Sequence, residues 1–238
     1  MKKPFLLVML LFCLNSLGAQ KSSEISSDKK PKRGWYTLFD GKTLNNWKFS
    51  DEEGTFTVRD GMIVVHGNRS HLFYVGPVEN HNFKNFEFKA DIMTEPGSNS
   101  GVYFHTEYQA TGWPDKGYEV QVNNSHTDWK RTAGLYDVMD LKEVPTKDNE
   151  WFTMHIIVQD KRIIVKLNDQ TVIDYTEPPE VNYKGHPGRK ISNGTFCLQG
   201  HDPKSTGYFK NIQVKPLCLR FYFCSGNQSL ESSYLKLN

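Results

Sequence analysis

An antiparallel all-β sandwich is the fold that this 238-residue chain predicts. Three observations predict it. Apolar and polar residues alternate with period two through many short runs, turn signals separate the runs closely, and no stretch sustains helical periodicity over several turns. An aromatic fraction of 13%, much of it Phe and Tyr inside the alternating runs, suits a sheet core. At this length one domain with appended ends is the natural organisation.

Residues 1–19 have the form of a secretory signal. Lys2 and Lys3 supply the positive start, residues 5–14 the apolar run, and Gly18 and Ala19 the small residues before a cut at Gln20. The run is too short to span a membrane, and Cys13, directly after Phe12, lies in a poor context for lipid attachment. The expectation is a soluble exported protein, periplasmic or extracellular. Residues 20–33 are rich in Ser and Lys without apolar periodicity and predict a flexible leader. The main domain is expected over residues 34–217.

Within it, residues 55–58 lead into Asp60-Gly61, a hairpin dipeptide, and residues 62–65 return. Residues 83–93 alternate Phe86, Phe88, Ala90 and Ile92 against Glu87, Lys89 and Asp91. Residues 151–175 predict three strands. Phe152, Met154, Ile156 and Val158 share one side of the first, and turns at Asp160-Lys161 and Asn168-Asp169 lead to the others. Residues 195–201 and 207–215 form a final pair. Residues 218–238 make an atypical C-terminal tail to which no role is assigned. Beyond the signal, Cys197, Cys218 and Cys224 are odd in number, so no disulfide framework is expected.

The informative stretch is residues 99–124. Val102 and Phe104 alternate with Tyr103 and His105, and Val120 and Val122 alternate with Glu119, Gln121 and Asn123. Gln199 and His201 alternate in the same way with Phe196, Leu198 and Gly200. Side chains of one parity share a face. Three neighbouring strands would therefore bring Tyr103, His105, Glu119, Gln121, Asn123, Gln199 and His201 into one polar groove, the alternative being a solvated outer face.

Glu119 is the leading candidate. A carboxylate at a strand centre between Tyr118 and Val120 is partly desolvated, which raises its pKa towards proton-transfer work; gripping a hydroxyl is its other role. His105 and His201 can titrate near neutrality. Trp113 and Trp129, in polar loops on either side of the Glu119 strand, are candidate sugar platforms or packed lids. Lys116, Arg131 and Tyr136 are weaker rim candidates. The remaining histidines, among them His71, His126 and His186, belong to no visible constellation. Two His and a carboxylate could serve a metal, but no HxH or HxxxH spacing favours it, so neither metal nor cofactor is expected. A net charge of +2 gives no electrostatic case for nucleic acid or acidic membranes.

The segments NSGVYFHTEY, GWPDKGYEVQVNN and TAGLYDV, with GWYTLFDGKTLNNW before them and GTFCLQGHDPKSTGYFKNIQVKPL after, resemble the 3-keto-disaccharide hydrolase family. The resemblance covers residues 34–217 and implies a concanavalin A-like jelly roll of the lectin/glucanase type. It also implies an enzyme that cleaves glycosides oxidised to a ketone at C3, served by a sugar 3-oxidoreductase in the same pathway. Such a reaction needs a base for the C2 proton (Glu119 or His105), an acid for the leaving oxygen (His201), and donors to the enolate oxygen (Tyr103 or Gln121). Asn123, Gln199, Trp113 and Trp129 would bind substrate. The resemblance also implies that Arg often stands in the family where this chain has His105. A carbohydrate-binding module on the same sandwich is the rival expectation. Retaining hydrolysis by two carboxylates is the third; Gln121 and Asn123, where paired acids would stand, argue against it.

Overall fold

A computed structural model describes residues 34–183 and 185–217. The signal with Cys13, the leader, the tail, and Cys218 and Cys224 lie outside the described residues.

Thirteen strands follow in chain order: β1 (Tyr36–Thr37), β2 (Trp47–Phe49), β3 (Phe56–Arg59), β4 (Met62–His66), β5 (Ser70–Tyr74), β6 (Phe86–Thr94), β7 (Ser100–Thr106), β8 (Tyr118–Val122), β9 (Phe152–Gln159), β10 (Arg162–Leu167), β11 (Gln170–Thr176), β12 (Thr195–Gly200) and β13 (Thr206–Pro216). Among the described residues helix is confined to short 3₁₀ turns. No helix among the described residues is long and apolar enough to cross a membrane.

The strands form two antiparallel sheets. The eight-stranded sheet runs β11-β10-β9-β6-β13-β4-β3, with β1 also paired to β13, and the five-stranded sheet runs β2-β5-β12-β7-β8. The antiparallel sandwich expected from periodicity is therefore what forms. Alternation fixes which side chains enter its core. In β6, Phe86, Phe88, Ala90 and Ile92 are buried while the residues between them are only partly covered. Phe83, Phe86 and Phe88 each pack with ring centroids 4.8 Å from that of Phe196, joining the sheets. Burying each such ring stabilises the fold by roughly 1.5–3 kcal/mol.

The turns follow their chemistry. Asp60-Gly61 and Asn168-Asp169 have positive φ at both positions, the two-residue hairpin geometry that Asn, Asp and Gly tolerate best. The five-stranded sheet departs from a half-solvated pattern. Every residue of β5, β7, β8 and β12 is buried. Their inward residues enter the core, while loops cover the outer, polar face and turn it into the floor of a cavity.

Candidate active site

Strand order brings the polar residues together. In the five-stranded sheet β7 lies between β12 and β8, so Cys197 is level with Tyr103 and Tyr103 with Glu119. Tyr103, Glu119, Gln121, Gln199, His201 and Trp113 all line one cavity of about 250 Å³.

Glu119 is its centre. Tyr103 donates its hydroxyl to Glu119 Oε2 at 2.7 Å, and Gln199 Nε2 donates to Glu119 Oε1 at 2.7 Å and to the Tyr103 hydroxyl at 3.0 Å. Burial raises the carboxyl pKa to about 7. The two hydrogen bonds, and the positive charges of Arg189 and Lys130, pull the other way without cancelling it. Gly101, beside Glu119 on β7, makes this placement sterically feasible, because a Cβ there would lie 2.5 Å from Glu119 Oε1. Gly101→Ala is therefore expected to push the carboxyl off its donors and lower turnover at least about tenfold. A far-ultraviolet spectrum unchanged from wild type would show that the sheet survives; unimpaired turnover would contradict the role assigned to Gly101.

Loops supply the walls. Residues 132–136 run along the free edge of β8 through backbone bonds from Gln121 N to Gly134 O, Ala133 N to Gln121 O and Tyr136 N to Glu119 O. They deliver Tyr136 and Asp137 to the cavity. Lys130 Nζ pairs with Asp137 and sits 3.8 Å from the centroid of the Tyr136 ring. The segment after β11 brings Arg189 and His186. Buried Glu177 fastens that segment by accepting from the Ile191 backbone N–H and from the Tyr118 hydroxyl, and Lys161 pairs with its other oxygen.

Three expectations are corrected. His105 does not join the Glu119 cluster. It has φ of +56° at a bulge where Thr195 pairs with Thr106 and Phe196 with Phe104, so the extra residue breaks the alternation with Tyr103. Its Nε2 donates to the Lys84 carbonyl at 2.8 Å, its Nδ1 accepts from the Ser192 N–H at 3.3 Å, and its ring lies edge-on to Phe86. Burial lowers its pKa to about 4. Asn123 is buried as a loop clamp and does not line the cavity. Its amide donates to the carbonyls of Asp128 and Lys130, and its Oδ1 accepts from His126 N and Arg131 Nη1. That clamp turns Asp128 towards the cavity, whereas Trp129, 50% exposed, is not in its lining. Of the weaker candidates Tyr136 lines the cavity, Arg131 pins loop carbonyls, and Lys116 pairs with Glu107 at 3.2 Å.

Trp113 is 43% exposed at the mouth, its ring 5.3 Å from that of His71 and 5.6 Å from that of His201. His201 Nδ1 lies 2.7 Å from Asp202 Oδ2, which leaves Nε2 as the nitrogen free for chemistry. His126, His201 and Asp202 offer ligand atoms within 4.8 Å of one another. They are poorly set for a metal. Asp202 already accepts from Ser205 Oγ and Lys204 N, and the Asp128 N–H donates to His126 Nδ1, placing the ring proton on Nε2.

Sequence reasoning missed Arg189 and His71. Arg189 lies in a segment without periodicity. His71, level with Gln199 on β5, is fully buried with both ring nitrogens unpartnered, and burial lowers its pKa to about 4. Period two in SHLFY, with Leu72 and Tyr74 in the core, was the signal for its facing.

Residues 34–215 match the family described as the 3-keto-alpha-glucoside-1,2-lyase-like domain. A Bacteroides thetaiotaomicron protein named 3-keto-disaccharide hydrolase is 27% identical over 184 residues, covering 65% of this chain and 63% of that relative. The chain thus spans less than two thirds of that curated relative's length. A crystal structure from Parabacteroides distasonis ATCC 8503, described as a candidate glycosyl hydrolase, has a TM-score of 0.67 at 24% identity and covers 78% of this chain and 95% of its own. A second structure from that organism, similarly described, has a TM-score of 0.61 at 22% identity, covering 77% and 99%. These two likenesses concern the fold. The matched span takes in most of the chain and all of the cavity walls, and the chain belongs to the 3-keto-alpha-glucoside-1,2-lyase-like domain family.

Proposed function

We propose that this protein is an exported enzyme that cleaves the glycosidic bond of 3-keto-glycosides, including 3-keto-disaccharides, by abstraction of the C2 proton, elimination and hydration. The observation that carries this reading is Glu119: a buried carboxyl, poised near neutrality, on the floor of a polar cavity with one aromatic flank. A ketone at C3 acidifies the C2 proton, so a single base of this kind suffices. Tyr103 and Gln199 hold that base in place. His201, aligned by Asp202, is the acid for the leaving oxygen. Trp113 offers a face or edge to the sugar at the mouth.

The cavity also speaks to substrate class. Asp115, Asp128 and Asp137 line it together with Glu119, a set that disfavours acidic sugars. Its 250 Å³ is the volume of roughly eight liquid waters. That is room for about one sugar ring. The ketone must be made by an oxidation at C3, which is the work of a separate sugar oxidoreductase. A secretory signal at residues 1–19 would support a location outside the cytoplasm for both reactions.

The test is incubation with an aryl 3-keto-glucoside beside its unoxidised parent, following release of the phenol. Release from the keto-sugar alone is expected. Comparable release from the parent would mean ordinary hydrolysis by paired carboxylates. Retention of either sugar without turnover would mean a carbohydrate-binding module.

A further inference from the structure

We infer that Arg189 holds the C3 ketone oxygen of the substrate and carries the negative charge that develops there as the enolate forms. This rests on the 3-keto-glycoside reading and adds to it the donor which that chemistry requires.

A ketone accepts hydrogen bonds and cannot donate them. Two donors beside the base are already committed, since the Tyr103 hydroxyl and the Gln199 amide both point at Glu119, and Gln121, which also lines the cavity, is neutral. Among the described residues lining the cavity, Arg189 alone carries a permanent positive charge. Its Nη1 is buried without a hydrogen-bond partner. The anion beside it, Asp137 Oδ2, is 3.7 Å away, and Lys130 already pairs with that carboxylate's other oxygen. A buried N–H left unpaired costs about 1–3 kcal/mol, more for a charged group; the side chain is 11% exposed, and a small turn of the guanidinium towards a ligand oxygen would offset that cost. The other orphans nearby, Asn99 Oδ1 and Gln199 Oε1, are acceptors suited to sugar hydroxyls. The orphan donor and the orphan acceptors thus divide a keto-sugar between them.

Charge balance points the same way. Before reaction Glu119 is anionic and the ketone neutral. In the first step the C2–H bond breaks and its proton goes to Glu119. The released electron pair becomes the C2=C3 bond, and the C3–O π pair moves onto oxygen. One negative charge has passed from Glu119 to the enolate oxygen with no change in the total. In the second step the ketone reforms, the C2=C3 pair forms C1=C2, and the C1–O pair leaves with the departing oxygen, which takes a proton from His201. Arg189 already acts on Glu119 electrostatically, so it favours the anion at either end of the transfer. In a cavity lined by Asp115, Asp128 and Asp137, an enolate without such a cation would be repelled. The arginine is also held before substrate arrives, since its segment is fastened at Ile191 by Glu177 and at Ser192 by His105.

The experiment compares wild type, Arg189→Gln and Arg189→Lys on a 3-keto-glucoside in deuterium oxide. It follows both leaving-group release and deuterium entry at C2. Arg189→Gln is expected to lower kcat and C2 exchange together by about 10²–10³-fold, with a much smaller rise in KM from the lost ketone contact. Arg189→Lys, which keeps the charge but not the planar fork, is expected to lose about tenfold. Circular dichroism and melting confirm folding; if Arg189→Gln does not fold, Arg189→Lys carries the test. Exchange and release within about twofold of wild type in the folded variants would overturn the inference, as would a loss confined to KM. A wild-type protein that neither exchanges nor cleaves the keto-sugar would instead bring down the 3-keto-glycoside reading itself, and the inference with it.

Discussion

Glu119→Gln is expected to lower kcat on a 3-keto-glycoside by about 10²–10⁴-fold, the usual worth of a positioned proton acceptor, while KM stays close to wild type. The amide keeps the size of the carboxylate and one oxygen for the Tyr103 hydroxyl. Gln199, whose Oε1 has no partner, can turn its own amide to meet the new NH₂ group. The shape of the floor is thereby kept, although the turn takes Gln199 Nε2 off the Tyr103 hydroxyl, and the main loss is the capacity to take a proton. A residue that merely grips a hydroxyl would show the reverse split, with KM raised and kcat nearly intact. Rapid-quench measurement of the first turnover separates the two. Deuterium exchange at C2 should vanish in parallel with cleavage, since both begin with the same proton transfer. A variant that still cleaves at the wild-type rate would remove Glu119 as the base. The neutral imidazole of His105, turned towards Lys84 and Ser192, could not replace it.

The same substitution is expected to stabilise the protein, increasingly as pH rises from about 4.5 to 7 and fully above that. Burial raises the Glu119 pKa from 4.5 to about 7 in the folded state. Between those values the native chain holds a proton that the unfolded chain has released. The contribution is therefore fully present below pH 4.5 and lost as pH rises through 7. At pH 8 the wild type carries the whole cost, about 3 kcal/mol at 1.36 kcal/mol per pKa unit. Glu119→Gln carries none of it. For a domain of this size that corresponds to a rise in Tm of roughly 6–12 °C at pH 8, shrinking to nothing near pH 4.5. His71 and His105, held neutral with pKa values near 4, act with the opposite sign. Their stabilisation is present above about pH 6.5 and lost as pH falls through 4, but it is common to both proteins and cancels in the difference. Urea titrations of both proteins at pH 5 and pH 8 would measure it. A difference that did not change with pH would mean that Glu119 titrates normally.

Alternation carried most of what could be foreseen. Val102, Val120 and Leu198 have to enter the core, and their neighbours Tyr103, Glu119 and Gln199 then have to face the other way. That local rule needs no knowledge of strand order. It failed at His105, because the bulge there is set by distant partners, the Lys84 carbonyl and the Phe86 ring. It failed at Asn123, and the reading of loop aromatics failed at Trp129, for a related reason. The path of a loop depends on which side chain satisfies its carbonyls, and Asn123 does so from beneath. Arg189 was illegible for want of any pattern, since a loop arginine carries no periodicity to reveal its facing. His71 was legible in principle. Period two places it opposite Leu72 and Tyr74, but its meaning depends on β5 lying beside β12, which turn signals alone do not specify.

The clamps beneath the cavity walls bear on how such a site changes over generations. Asn123 holds one wall, while Glu177 and His105 hold the other, each anchored to the sheet or its flanking chain. The two sets of clamps share no partner, and the walls meet where Asp137 and Tyr136 face Arg189. Away from Asp137, Tyr136 and Arg189, substitutions on one wall should combine nearly additively with those on the other, as holds for sites without shared partners. Substrate preference could then drift one wall at a time while Tyr103, Glu119 and Gln199, bonded to each other on the floor, stay as they are. A single sandwich would in this way furnish a lineage with many aglycone specificities from one inherited proton-transfer floor.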